Sequence, residues 1–393
     1  MHLAANEIHM KRIIFLDHLR GIAVLLVVWS HIFLVGINDY KTISVWVPTI
    51  KGPLFGAEAP TTNVHGLINL FFAVNFGLSA GELGVALFFL LSGFVILKTI
   101  DSVNPVDFLV RRFFRIVPLN AFVVLCVATG FSLYLHYEGL TSPHSMESVI
   151  VSSLALNWFF QTFQVLPVLW TLEAEIAFYL VIAVISATTV RIDFRTLILT
   201  SSTCLTFIVG VNSKTLTALL PPSTVNVLIH LSTLLIHITF MLVGATIYRA
   251  TSSKQHISGA LWVITSFLLC VASYSSYKIL SGGLAIGYDL PDMLASLIIF
   301  VLAIFLALQG AWLRPLKFFG DISYPLYLVH VPLGWWLLSQ FSDLGFGMYV
   351  SALASSSICI VIAWGLHFWV ELPSQQFGKR LGKFRGATAV VRS

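Results

Sequence analysis

Long apolar runs, broken at intervals by short polar and charged clusters, extend along the whole chain. A helix crosses a bilayer in about 20 predominantly apolar residues. On that measure the pattern predicts ten spans, at 13–36, 81–98, 118–136, 166–188, 196–211, 225–248, 258–276, 290–310, 320–341 and 346–370. The fifth is short, and the ninth opens on a charge at Asp321. Two other apolar pieces, 67–78 and 148–160, read as interfacial or re-entrant segments, the second interrupted by Asn157 and Gln161. No internal repeat and no Pro-rich or Gly/Ser linker divides the chain. The predicted fold is all-α, a polytopic transmembrane helical bundle of about ten spans forming one integral membrane domain over residues 1–393.

Composition narrows this further. Hydrophobic residues make up 58% of the chain and charged residues 10%, against about 25% charged in soluble domains. That excludes a soluble enzyme. The 13% aromatic content excludes a disordered chain. The net charge of +5 calls for no nucleic-acid partner, because the basic residues segregate by side. With ten spans, Lys41, Lys51, Lys214 and Lys278 fall on one side and Arg20 lies inside the first span. All other Lys and Arg, including Lys254 and Arg392, fall on the side of the two termini, which the positive-inside rule assigns to the cytoplasm. Cys126, Cys204, Cys270 and Cys359 lie far apart in apolar stretches, which is neither a disulfide framework nor a zinc spacing. The first span is too long for a signal-peptide core and contains Asp17, Arg20 and His31, so it is expected to be retained.

Scarce charge makes the ionisable residues inside the spans conspicuous, since each costs about 3 kcal/mol at membrane depth on insertion scales. Arg20 and His31 are 11 positions apart, about three turns of an ideal helix. They therefore share a face, separated axially by roughly 16 Å. Asp17, one turn before Arg20, can pair with the guanidinium. Histidine also suits proton transfer near neutral pH. In RRFFRIVP (111–118), Arg111, Arg112 and Arg115 cluster within one helical turn, a pattern suited to phosphate or to anionic lipid. In LWTLEAEIAFYL (169–180), Glu173 and Glu175 point to different faces, one toward a cavity and the other toward headgroups. Glu175 shares its face with Thr171 and Tyr179. His230 and His237 share a face without a third ligand in register, so packing is the stronger reading and no metal is expected. Spacing alone gives no purpose to His330, or to the i,i+4 pair His367 and Glu371.

Five blocks in order resemble the acyltransferase 3 family of integral membrane acyltransferases. LDHLRGIAVLLVVWSH (16–31) resembles its opening stretch with the Arg-x10-His motif, at Arg20 and His31. LGVALFFLLSGFVI (83–96) and RRFFRIVP resemble two further blocks, the latter matching an Arg-x-x-Arg stretch at Arg112 and Arg115. LWTLEAEIAFYL resembles the family's WSLxxE block, with Thr171 in place of the common Ser and Glu175 at the acidic position. ISYPLYLVHVPL (322–333) resembles the late block that ends in a histidine, here His330.

The resemblance implies transfer of an acyl group, often acetyl, from cytoplasmic acyl-CoA (acetyl-CoA) as co-substrate, with no bound cofactor. The acceptor it implies is a hydroxyl of a surface carbohydrate or lipid-linked glycan, and the location a bacterial inner membrane. On this reading His31 is the general base or a transient acyl carrier. Arg20, held by Asp17, binds phosphate or steadies the oxyanion. Arg112 and Arg115, with Arg111, hold the CoA phosphates, and Glu175 positions substrate or His31. A secondary transporter of a glycan precursor or organic anion is the alternative, though no inverted repeat or paired broken helix is evident. A non-catalytic sensor fits the dense intramembrane polar set least well.

Overall fold

The computed structural model describes residues 2–55, 64–189, 191–211, 218–252, 256–281, 283, 286–306 and 313–390. Lys214, Lys254, Arg392 and the last four positions of the eighth predicted span lie outside the described residues. Among those described there are helices and turns but no strand. Eight helices are long and apolar enough to cross a membrane: Phe15–Asn38, Ala80–Ile100, Pro105–Tyr137, Leu169–Thr188, Phe194–Val211, Ser223–Ser252, Ile257–Ile279 and Met348–Gly382. They coincide with the first seven predicted spans and the tenth. The eighth is the shorter apolar helix Leu290–Leu306. The chain is thus a polytopic helical membrane protein.

The ninth predicted span is not one helix. It is built as Arg314–Asp321, Ser323–Val329 and Pro332–Asp343. Pro332 has no N–H to return to the carbonyl four residues back, so the helix stops before it and restarts with Pro in its first turn. His330 sits at the break, its Nδ1 2.8 Å from the Tyr327 carbonyl and 3.1 Å from that of Leu326. The segment 67–78 is a helix, Val64–Phe76, with Phe71, Phe72, Val74 and Phe76 exposed. The re-entrant piece is two short helices, Met146–Ser153 and Asn157–Phe160. Asn157 is buried and donates to Ser152 Oγ and Thr162 Oγ1, both at 2.9 Å, and Gln161 takes φ 52° to turn the chain.

Contacts divide the chain into two compact units, each assembled from separated stretches. The first comprises Met1–Val85, Phe113–Glu173 and Pro291–Ser393, the second Ala86–Arg112 and Ala174–Leu290. In the first, the opening span is pressed against Arg314–Asp321. A Cβ at Gly21 would lie 2.0 Å from the Leu316 carbonyl oxygen, and one at Gly320 2.1 Å from that of Asp17. Glycine at both ends of the crossing lets the backbones touch, as small residues do between membrane helices. The second unit uses the same device at Gly93 and Gly244, whose absent Cβ atoms would meet the carbonyls of Met241 and Leu90. It adds a bidentate ion pair in which the buried Arg249 meets the solvent-accessible Asp101 at 2.7 and 2.9 Å.

Candidate active site

His31 lies in a π-helical turn, Trp29–Val35, that interrupts the opening span. Such turns widen the helix and are frequent at functional sites. The ideal-helix phase that aligned His31 with Arg20 is therefore only an approximation here, and side-chain contacts decide where His31 points. It faces the break in the ninth span. His330 Nε2 is 3.1 Å from His31 Nδ1, and the two rings are 5.0 Å apart between centroids. The Trp335 indole donates to the His31 carbonyl oxygen at 2.8 Å. Gly334 packs on Ile32, and Gly36 lies against Leu338 and Trp335.

The tautomers follow from these contacts. His330 Nδ1 faces only carbonyl oxygens, so it carries the hydrogen, and its Nε2 presents a lone pair to His31. His31 Nδ1 then holds the proton and faces two acceptors, that lone pair and the Val27 carbonyl at 3.1 Å. His31 Nε2 is left as the lone-pair nitrogen, on a ring that is only half-buried, whereas His330 is fully buried. Behind His330 stands Tyr327, whose ring centroid is 5.7 Å away and whose hydroxyl is 2.8 Å from Thr171 Oγ1.

At the other end of the opening span Arg20 Nη1 is 3.5 Å from Asp17 Oδ1. Lys317 and Asp321, themselves paired at 2.6 Å, act on Asp17 through their charges. The predicted pair is therefore half of a four-charge cluster. Arg111, Arg112 and Arg115 all ride on helix Pro105–Tyr137. Tyr324 donates to the Ile116 carbonyl at 2.8 Å, and Ser374 to that of Phe114, so the turn bearing Arg115 is anchored on both sides.

In the second unit Glu175 accepts from Tyr179 OH at 2.6 Å and Ser92 Oγ at 3.1 Å. Arg112 is buried, bonded to Thr99 Oγ1 at 2.8 Å, its guanidinium over the rings of Phe108 and Tyr179. Of the two residues expected on the Glu175 face, Tyr179 bonds it and Thr171 bonds Tyr327 instead. Glu173 faces neither headgroups nor an open cavity. It is 1% exposed and accepts from the Trp158 backbone and the Gln164 amide, both at 3.3 Å, tying down the re-entrant piece. His237 is buried against Tyr288, 3.0 Å from its hydroxyl, and His230 bonds the Asn226 carbonyl of its own helix. His367 and Glu371 do meet, at 2.7 Å, in a second π-helical turn. Among the described residues no group of three or more His, Cys, Asp or Glu is arranged to hold a metal ion.

The site is thus a membrane-embedded histidine pair with one basic nitrogen uncommitted, in a protein of many spans. An acyltransferase domain model matches residues 13–368, and the chain belongs to that family, acyltransferase 3. The five blocks that resembled it lie within the match. No curated protein and no solved structure gives a significant match.

Proposed function

We propose that this membrane acyltransferase moves an acyl group, with acetyl the expected one, from acyl-CoA to a hydroxyl of a carbohydrate or lipid-linked glycan. We place both termini in the cytoplasm, in a bacterial inner membrane. The observation that carries the chemistry is the uncommitted His31 Nε2, on a ring whose other nitrogen is fixed by His330 and Val27. That nitrogen takes the proton of the acceptor hydroxyl as its oxygen attacks the thioester carbonyl. The C–O bond forms, the C–S bond breaks, and the CoA sulfur leaves with the proton returned from the imidazole. Histidine general bases contribute about 10²- to 10⁴-fold. His330 keeps His31 in the reactive tautomer, as a carboxylate does in a catalytic triad.

Arg115, with Arg111, gives the donor phosphates their cationic partners. Arg112 is buried and holds its helix turn through Thr99 and Tyr179. The Asp17–Arg20–Lys317–Asp321 cluster lies nearer the N-terminal end of the opening span than His31, roughly 16 Å away along the axis, so Arg20 serves a donor phosphate rather than the oxyanion. Glu175, bonded to Tyr179 and Ser92, ties its own helix to that of Ser92.

The test uses full-length protein in vesicles supplied with radiolabelled acetyl-CoA and the glycan and lipid extract of a deletion strain. Label transferred to an alkali-labile ester of the extract supports the reading. Retention of all label on CoA or free acetate with folded protein overturns it, as does transfer that survives His31→Ala undiminished.

A further inference from the structure

Two cavities in the first unit adjoin at one side chain, and their surfaces are of opposite character. The first, about 420 Å³, is polar. Its lining includes Lys51, Glu138, Ser339, Gln340 and Asp343, a mixture of hydrogen-bond donors and acceptors with both signs of charge. The second, about 360 Å³, is almost wholly apolar, lined by residues such as Phe122, Val127, Phe131, Leu333 and Ile362. Tyr134 belongs to both. Its hydroxyl accepts from Gln340 Nε2 at 3.3 Å on the polar side, and its ring stands edge-on to Trp336, 5.7 Å between centroids, on the apolar side.

Helix Pro332–Asp343 joins this double cavity to the histidine pair. Trp335 holds the His31 carbonyl. Ser339 and Asp343, which line the polar cavity, follow on the same helix about 6 and 12 Å along its axis. A second tie, Ser342 Oγ to the Leu54 carbonyl at 2.5 Å, fixes the far wall. His31 and His330 line neither cavity, and the polar cavity is linked to the histidine pair through this one helix.

We propose that the acceptor is an amphiphile, a lipid whose head is rich in hydroxyls. The head occupies the polar cavity and one hydrocarbon chain lies in the apolar groove, with Tyr134 at the junction. The inference rests on the acyltransferase reading and narrows it, since a free saccharide would use only the polar half. A phospholipid of the bilayer would fill the groove without needing Lys51, Gln340 or Asp343. Ser339, Gln340 and Ser342 match the hydroxyls of a sugar ring, while Lys51, Glu138 and Asp343 also suit a zwitterionic head, which makes phosphatidylcholine the decisive competitor.

Binding is tested without acyl-CoA, so that its outcome is separate from that of acyl transfer. Full-length protein in phosphatidylcholine vesicles is photolabelled with a hexadecyl glucoside carrying a diazirine near the chain end. Labelled peptides should map to 122–134 and 329–336. Unlabelled hexadecyl glucoside should displace the probe at least about tenfold better than either glucose or added phosphatidylcholine of equal chain length, because only it satisfies both halves. Gly130 lies in the groove with open space where its Cβ would project, so Gly130→Leu directs a side chain into the groove and should cut labelling about fivefold or more. Gln340→Ala with Asp343→Asn should do the same from the polar side. Equal displacement by phosphatidylcholine, or full labelling in these variants, overturns the proposal as bulk lipid in a surface groove. Equal displacement by glucose overturns the role of the chain. Ester formation on a bilayer-free saccharide with unchanged efficiency would leave the acyltransferase reading standing and sink this one.

Discussion

His31 of the first unit and three charged side chains of the second are held in opposite ways. In the second, Arg249 is locked bidentately to Asp101, Arg112 to Thr99 and two rings, and Glu175 to Tyr179 and Ser92. These contacts suit a scaffold, since a buried charge is tolerated when it is paired and hydrogen-bonded. In the first, His330 is saturated but His31 is fixed at one nitrogen only, on a partly buried residue within a π-helical turn. On the proposed mechanism, the contrast separates residues that hold the membrane fold from the one assigned the chemistry.

The contrast breaks first at His31. His31→Ala should lower acyl transfer by about 10³-fold, within the usual span for a general base. It should leave the thermal unfolding of the protein in detergent nearly unchanged, which a scaffold residue would not do. Arg249→Ala should behave the other way. Losing the buried guanidinium and its charge-assisted bonds to the solvent-accessible Asp101 should cost about 2 kcal/mol of stability, read as a lower unfolding midpoint, with the rate per folded molecule retained. A smaller effect is expected at His330, which acts through His31. His330→Asn should reduce kcat by about tenfold with little change in KM for acyl-CoA, because the ring of His31 is less well oriented. An equal fall in kcat/KM at all pH values with a lowered unfolding midpoint would instead mark His330 as scaffold.

The smallest expected effect lies in the loop after helix Ile257–Ile279. There the Tyr274 hydroxyl, at 2.6 Å, and then Lys278 hold the Asp289 carboxyl below its usual range. A carboxylate with a lowered pKa in the folded state stabilises the fold above its unfolded pKa of about 3.9, and that stabilisation is lost as pH falls through the folded value. Asp289 is largely exposed, so solvent screens most of the effect. Tyr274→Phe should give a slightly lower unfolding midpoint at neutral pH. The difference from the parent protein should vanish as pH falls well below about 4.

Much of this fold is legible in the amino-acid sequence. Membrane class, eight of the spans and the family blocks follow from local pattern, because a bilayer demands long apolar helices whatever their neighbours. Asp17 with Arg20, and His367 with Glu371, are readable because partners three or four residues apart meet on any helix. The ninth span departs from its pattern because its hydropathy is continuous while its proline and the His330 contacts break the helix. Hydropathy averages over a window and does not register one missing N–H. Glu173 and Glu175 look equivalent in sequence. The re-entrant segment claims one, and Tyr179 with Ser92 the other.

The order of residues suffices to make this a helical membrane protein of the acyltransferase family, with His31 as its most informative residue. Periodicity, charge scarcity and ordered motifs are all properties of the chain in one dimension. Packing in three dimensions supplies the rest. It brings His31 to His330 from 299 positions away, completes the charge cluster around Asp17 with Lys317 and Asp321, and makes Tyr134 the junction of a polar cavity and an apolar one. Those pairings depend on which helices cross and at what height. Here the crossings are set by glycines that let backbones touch and by a proline that stops a helix, features too local to announce which distant residue they bring near.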